Sequence, residues 1–387
     1  MARSLQMMVA AGIAACCALP VHAQVKLGTV AGSDVAFEGL WQVDGNWYDN
    51  DVADLDGRPD GRDRATGLRR AELALKGSGP GGLSWVVGYD VEAERFLDAN
   101  VGYAVERDSG RHALVLGQAK QPGSLEELSS SKHNDFIAKA AATNVFATGR
   151  RFGVGYAWER SDRGVALAYY GRELTRNQGE GAGFALRGYW APVATEGHVV
   201  HLGLSYADRD TPADSLRLRV RPNADLASVR LVDSGRLTDV DRFRATGLEA
   251  MWIRGPVKLQ AEYFLGGVER IATGDYGVAG GYASLVWNPG GQTWGYRGGL
   301  PRTPSAGDGN AGLWQLALRL DRIDFDDGPV RGGRMDAWTV GVNWYWRKHA
   351  KLMLNYVDVS SRRFPAGIGT DVDDNPDIVE ARVQLHW

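Results

Sequence analysis

The residues of this chain best equipped for chemistry lie between Lys120 and His133, in "KQPGSLEELSSSKH". Glu126 and Glu127 are adjacent carboxylates, the residue type used for general acid/base work. Ser129, Ser130 and Ser131 precede His133, so hydroxyls and an imidazole fall close together. Nucleophilic catalysis also requires a third group that orients the base, and a barrel enzyme built on this set is the weaker reading for want of one. A Glu-Glu pair on a loop more often caps or anchors that loop. A second set is cationic. Arg217, Arg219 and Arg221 recur at every second position of "SLRLRVRP", so in extended chain all three point one way. Such a row is a ladder of fixed charges whose forks suit phosphate oxygens; a solvated stripe on a loop fits the same pattern.

Other chemistry is absent from the pattern. Gly77, Gly79 and Gly82 match G-x-G-x-x-G, but Pro80 lies inside and no helix follows, so a tight turn is expected. The histidines form no H-E-x-x-H and the two cysteines, Cys16 and Cys17, are neighbours near the N-terminus. The acidic runs Asp56–Asp63 and Asp371–Asp377 lack EF-hand spacing and read as solvated loops rather than calcium sites. No metal, no cofactor and no enzyme activity are expected. A net charge of -3 gives no basic excess for nucleic acid.

The elements that must carry these residues are strands. Beyond residue 24 there are almost no long Leu/Ala helical stretches, and no apolar run is long enough for a transmembrane helix. Alternation with period 2 recurs instead. In "DIVEARVQLHW", Val379, Ala381, Val383, Leu385 and Trp387 share one face, and Glu380, Arg382, Gln384 and His386 share the other. "DAWTVGVNWYWRK", "VKLQAEYFL" and "GLWQLALRL" alternate likewise. A soluble β-sandwich also alternates. Here the apolar faces are rich in Trp and Tyr near strand ends, and the opposite faces carry charge along their length, as a membrane girdle and a wet lumen require.

About sixteen such segments are expected, the size at which a closed barrel leaves an aqueous channel. The fold class is therefore all-β: a transmembrane antiparallel barrel. Tight turns such as "GSGPGG", "ERSDRG", "IRGP" and "WRKHAK" alternate with long connections at 48–66, 118–149, 209–242, 267–278, 324–334 and 360–376. The connection at 290–310 is long where a short turn is due. In "LRRAELALKG", Ala71, Leu73 and Leu75 would face lipid, with Arg70 and Glu72 on the lumen side. Period 2 then puts Arg69 on the lipid side, reaching the pore only from beyond the membrane edge. Residues 1–23 read as a secretory signal, with Arg3, an apolar run and Val21-His22-Ala23 before the expected cut; lipidation at Cys16 is the less fitting alternative. The barrel would then occupy 24–387, in the outer membrane, and Trp387 would dock at the interface girdle.

Several pieces together carry a resemblance: "LRRAEL", "VGYDVE", "LGQAKQPGSLEELSSSK" with "GRRFGVGY", "GHVVHLGLSYADRD", "LRVRP" and "VGVNWYW" with "AKLMLNYV". The chain, nearly end to end, resembles the phosphate-selective porins of Gram-negative outer membranes, the O/P type. The resemblance implies a sixteen-stranded barrel, usually a homotrimer, that passes small anions such as phosphate or pyrophosphate passively. It implies that the loop after the fifth strand folds inward as a constriction, which places Lys120, Glu126, Glu127 and Lys132 there. Arg69 and Arg70 look like the paired arginines of the family's second strand. Arg219 and Arg221 resemble its arginine ladder, with Arg217 an added rung, and Lys132 resembles a lysine ending the constriction loop. Trp387 resembles the C-terminal signature read by the barrel assembly machinery. The chain departs from the family at Glu127, which stands where phosphate-specific members carry their central lysine. A general diffusion porin without phosphate specificity is therefore the alternative.

Overall fold

A computed structural model describes residues 25–58, 61–175, 181–211, 214–307, 311–364 and 369–387. Sixteen antiparallel strands close into a barrel. They are β1 (Ser33–Asp49), β2 (Arg64–Ser78), β3 (Leu83–Asp90), β4 (Arg95–Arg107), β5 (Gly110–Lys120), β6 (Arg150–Glu159), β7 (Arg163–Tyr170) and β8 (Gly183–Thr195). The second half comprises β9 (His198–Asp210), β10 (Val240–Arg254), β11 (Val257–Arg270), β12 (Tyr276–Trp287), β13 (Leu313–Asp327), β14 (Val330–Trp346), β15 (Ala350–Arg363) and β16 (Asp377–His386). Each strand pairs with the next, and β1 pairs with β16 from Leu40↔His386 to Asp49↔Asp377, which removes both sheet edges. A strand at Val25–Val30 folds back on β1 as a hairpin.

The alternation reads out as side-chain direction. Gln42, Asp44 and Asn46 are buried inside, while Trp41, Val43 and Trp47 are exposed outside. On β16, Glu380, Arg382, Gln384 and His386 face in, and Val379 and Val383 face out. The apolar exterior is the surface a bilayer covers. Trp158, Trp252, Trp287, Trp314 and Trp344 lie near strand ends on one side of the barrel, at the short turns after β6, β10 and β14 and at the long connection between β12 and β13, forming one girdle. Trp387 joins it: its ring lies over Gly39, where a Cβ would come within 2.1 Å of the indole, between Phe37 and Trp41.

Two expectations change. Strand pairing shifts between Gln42 and Val43, whose partners are Arg70 and Leu68, so Arg69 is an extra, bulged residue. The bulge breaks period 2, and Arg69 points into the lumen, not to the lipid side. The connections expected at 267–278 and 324–334 shrink to 271–275 and 328–329, because β11 to β14 extend further at that end than the alternation suggests. The connection between β12 and β13 is long, as the sequence suggests. It forms a small hairpin, Gly295–Arg297 with Leu300–Arg302, and buries Trp294 against Lys258 inside the barrel mouth. Pro80–Gly82 is a turn, as the glycine spacing suggested. Residues 1–24 lie outside the described residues, so the secretory signal is not among them.

Candidate functional site

The lumen is narrowed by two segments. The first is the connection 121–149 between β5 and β6, which holds helices α1 (Leu125–Leu128) and α2 (Ala141–Phe146). Its Pro-Gly break stops β5, and Ser124 caps α1 by accepting from the Glu127 N–H at 3.1 Å. This loop crosses the interior because the inward faces of β11 to β16 supply partners. Glu262 accepts from Leu125 N at 2.6 Å, Glu126 N at 2.9 Å and Ser124 Oγ at 3.0 Å. Lys258 donates to Asp135 at 2.6 Å, and Asn355 accepts from Ile137 N at 2.9 Å. Arg382 donates to the Ile137 carbonyl at 2.8 Å and Arg319 to that of Ala138 at 2.9 Å. Phe146 stacks on Phe264 with ring centroids 5.4 Å apart.

The second segment is the connection 211–239 between β9 and β10. Leu216, Leu218 and Val220 are buried in one apolar cluster with Ala141, Phe146, Phe243 and Ile323, so this connection packs on α2 inside the barrel mouth. That packing sets the direction of the arginines. Arg217, Arg219 and Arg221 lie on the opposite face, away from the cluster, as period 2 predicts. Arg217 pairs with Asp233 at 2.5 Å. The Arg219 side chain has no hydrogen-bond or ion-pair partner among the described residues. Arg221 donates to the Ala227 carbonyl at 2.5 Å. Burial lowers its guanidinium pKa, Asp225 raises it, and the Arg69 and Arg219 charges lower it further.

Arg69 donates to Asp225 at 2.7 Å, and Asp225 also lies 3.7 Å from Arg382, itself forked onto Asp44. Burial opposes the Asp225 charge, yet Arg69 and Arg382 hold its carboxyl down at about 2. Arg70 pairs with Glu72 at 2.6 Å on the lumen side, as expected. Further in, Arg150 forks onto Asp98 at 3.1 Å.

The constriction residues divide by role. Glu126 accepts from Ala140 N at 3.1 Å and lies 3.6 Å from Arg319, so it anchors the loop. Glu127 is held by Lys139, with Lys120 Nζ 4.0 Å away. Burial would raise its carboxyl, but Lys139 and Lys120 bring it down to about 2. Lys132 donates to Glu38 at 3.3 Å and to the Trp387 carbonyl at 3.1 Å, tying the loop to the β1–β16 seam. The serine–histidine set does not assemble: Ser129 Oγ donates to Leu125 O, and His133 stacks on Tyr345. Burial, with Lys351 and Lys132 alongside, lowers His133 to about 4. No cluster of three metal-ligating side chains occurs among the described residues.

Sequence reasoning missed Glu262, Lys139 and the Arg150–Asp98 fork. The only trace of Glu262 was an inward-facing charge in "VKLQAEYFL".

A family model described as phosphate-selective porin O and P matches residues 42–387. An uncharacterized protein of Caulobacter vibrioides is 30% identical over 362 residues, covering 87% of this chain and 72% of that protein. Porin O of Pseudomonas aeruginosa is 27% identical over 222 residues, spanning 49% of this chain and 50% of Porin O. Among solved structures, the anion-selective porin from Comamonas acidovorans aligns at TM-score 0.58 and 12% identity, covering 92% of this chain and 100% of that one. The outer membrane channel DcaP of Acinetobacter baumannii aligns at TM-score 0.58 and 11% identity, covering 93% and 100%. These structural likenesses concern the fold. With the family model matching from β1 to the last residue, around a barrel whose lumen is narrowed from within, the chain belongs to the phosphate-selective porin O and P family.

Proposed function

We propose that this outer-membrane porin conducts small anions by electrodiffusion, with charged walls lowering the barrier for one sign of ion. The observation that carries this is the one-sided arginine stripe. Leu216, Leu218 and Val220 fix one face of the segment in an apolar cluster, so Arg217, Arg219 and Arg221 stand together on the open face. Arg69, Arg70 and Arg150 continue the route toward the constriction, where Lys120 and Lys139 lie. Phosphate and pyrophosphate are candidate solutes, in line with the family's description and with the anion-selective porin of Comamonas acidovorans.

Carboxylates accompany the bases: Asp225 with Arg69, Glu72 with Arg70, Asp98 with Arg150, Glu127 with Lys139. This pairing dilutes the positive field and favours a general anion preference over a phosphate trap. Lys132, spent on Glu38 and the terminal carbonyl, acts as a clamp at the end of the route. Residues 1–23 serve as the export signal, Trp387 as the mark read by the assembly machinery, and membrane lipid and two further copies as the partners.

Replacing Arg217, Arg219 and Arg221 together with Gln removes three fixed charges while leaving the apolar counter-face intact. The anion-to-cation permeability ratio in planar bilayers should fall roughly two- to tenfold, as expected for charges lining a narrow path. An unchanged ratio would place the stripe off the path.

A further inference from the structure

Cationic groups converge on one carboxylate at the start of the constriction loop. Lys139 Nζ donates to Glu127 Oε2. Lys120 Nζ lies 4.0 Å from Glu127 Oε1 and donates to the carbonyl oxygens of Glu127 and Ser129, the latter at 2.9 Å. The Arg150 charge also acts on this carboxylate, although its own fork is committed to Asp98.

Glu127 is not what holds the loop. Glu126 and Glu262 do that, each accepting backbone N–H groups of the loop. The Glu127 side chain accepts no backbone N–H among the described residues; its only close partner is the Lys139 ammonium group. To Lys120 and Lys139 it presents what a solute oxyanion would present: paired oxygen acceptors carrying negative charge. A soluble anion must displace a group the chain itself holds nearby, at an effective concentration on the order of millimolar.

We infer that Glu127 is a tethered counter-anion: it occupies an oxyanion site formed by Lys120 and Lys139, and so keeps the channel from retaining phosphate at its constriction. This rests on the anion-channel reading. Conduction requires binding weak enough for the solute to leave. With Glu127 in place the two lysines keep a net charge of about one, which attracts an anion without trapping it. Without it, Lys139 loses its one ion pair among the described residues, and Lys120 keeps only its carbonyl partners.

The test titrates inorganic phosphate against chloride current through the full-length channel in planar bilayers. Wild type should show little inhibition. In Glu127→Gln, the half-inhibiting phosphate concentration should drop by about tenfold or more, the factor a tethered competitor imposes. Glu127→Ala should do the same, and its conductance reports that the barrel has formed. Adding Lys139→Ala to Glu127→Gln should abolish the inhibition, which separates a lysine site from a general gain of positive charge. Equal phosphate sensitivity in wild type and Glu127→Gln, or inhibition that survives Lys139→Ala, would overturn the inference. A cation-selective wild type would instead defeat the anion-channel reading itself.

Discussion

Glu262 accepts hydrogen bonds from Ser124, Leu125, Glu126 and Tyr282, so one inward carboxylate on β11 carries the entry of the constriction loop. Glu262→Ala leaves these donors without an acceptor, at about 1–3 kcal/mol for each one that stays buried. The loop should then leave β11, and single-channel conductance should rise with added noise. A conductance like that of wild type would mean that the Arg319 and Arg382 contacts suffice alone. Gly39 makes an equally local demand. A Cβ there would meet the Trp387 ring at 2.1 Å, so Gly39→Val forces the terminal indole off its seat. Overpacking of this kind costs about 1–3 kcal/mol. The folded form should convert to the unfolded form at a lower temperature in a gel-shift assay, and an unchanged transition would show that the terminal ring adds nothing to barrel stability.

At the scale of elements, the loop 121–149 makes a pH prediction through Glu127. Its carboxyl is lowered from an ordinary 4.5 to about 2 in the folded loop. A carboxylate held below its ordinary value by neighbouring cations keeps its charge until pH falls through that lower, folded value. The part of the anion preference that depends on Glu127, taken as the difference between wild type and Glu127→Gln, should therefore be flat from pH 8 to about 4.5 and vanish only toward about 2. An inflection near 4.5 would mean that Glu127 is not paired with Lys139.

The strands were legible in the sequence because a barrel wall has water on one side and lipid on the other, which writes period 2 directly into residue type. Tight turns such as "IRGP" marked their ends. The bulge at Arg69 was not legible: an extra residue in one strand is defined only by its pairing with β1. Nor was the anchoring of the loop, since Glu262 lies 136 to 138 residues from the groups it holds. The arginine stripe was half legible. Its spacing gave a common direction, but only the burial of Leu216, Leu218 and Val220 inside the barrel mouth decided what that direction faces.

The whole molecule is uneven in height. β3 and β7 have 8 residues each, whereas β14 has 17. At about 3.3 Å per residue and a tilt of about 40°, the shorter strands rise only about 20 Å, less than an apolar band of about 25 Å. We propose that copies of a homotrimer join on the side of β3 to β7, bounded by these two short strands. Native mass spectrometry in detergent should give three chains, and Val101→Arg on the outer face of β4 should weaken that assembly; a stable monomer in the wild type would contradict it. The central claim concerns the sign of the field that these walls impose on the pore. It is tested most directly by the zero-current potential of the wild-type channel across a tenfold potassium chloride gradient. The account predicts the sign set by chloride, at a magnitude below that of a perfectly anion-selective pore because carboxylates accompany most of the bases. A potential with the sign set by potassium would contradict it.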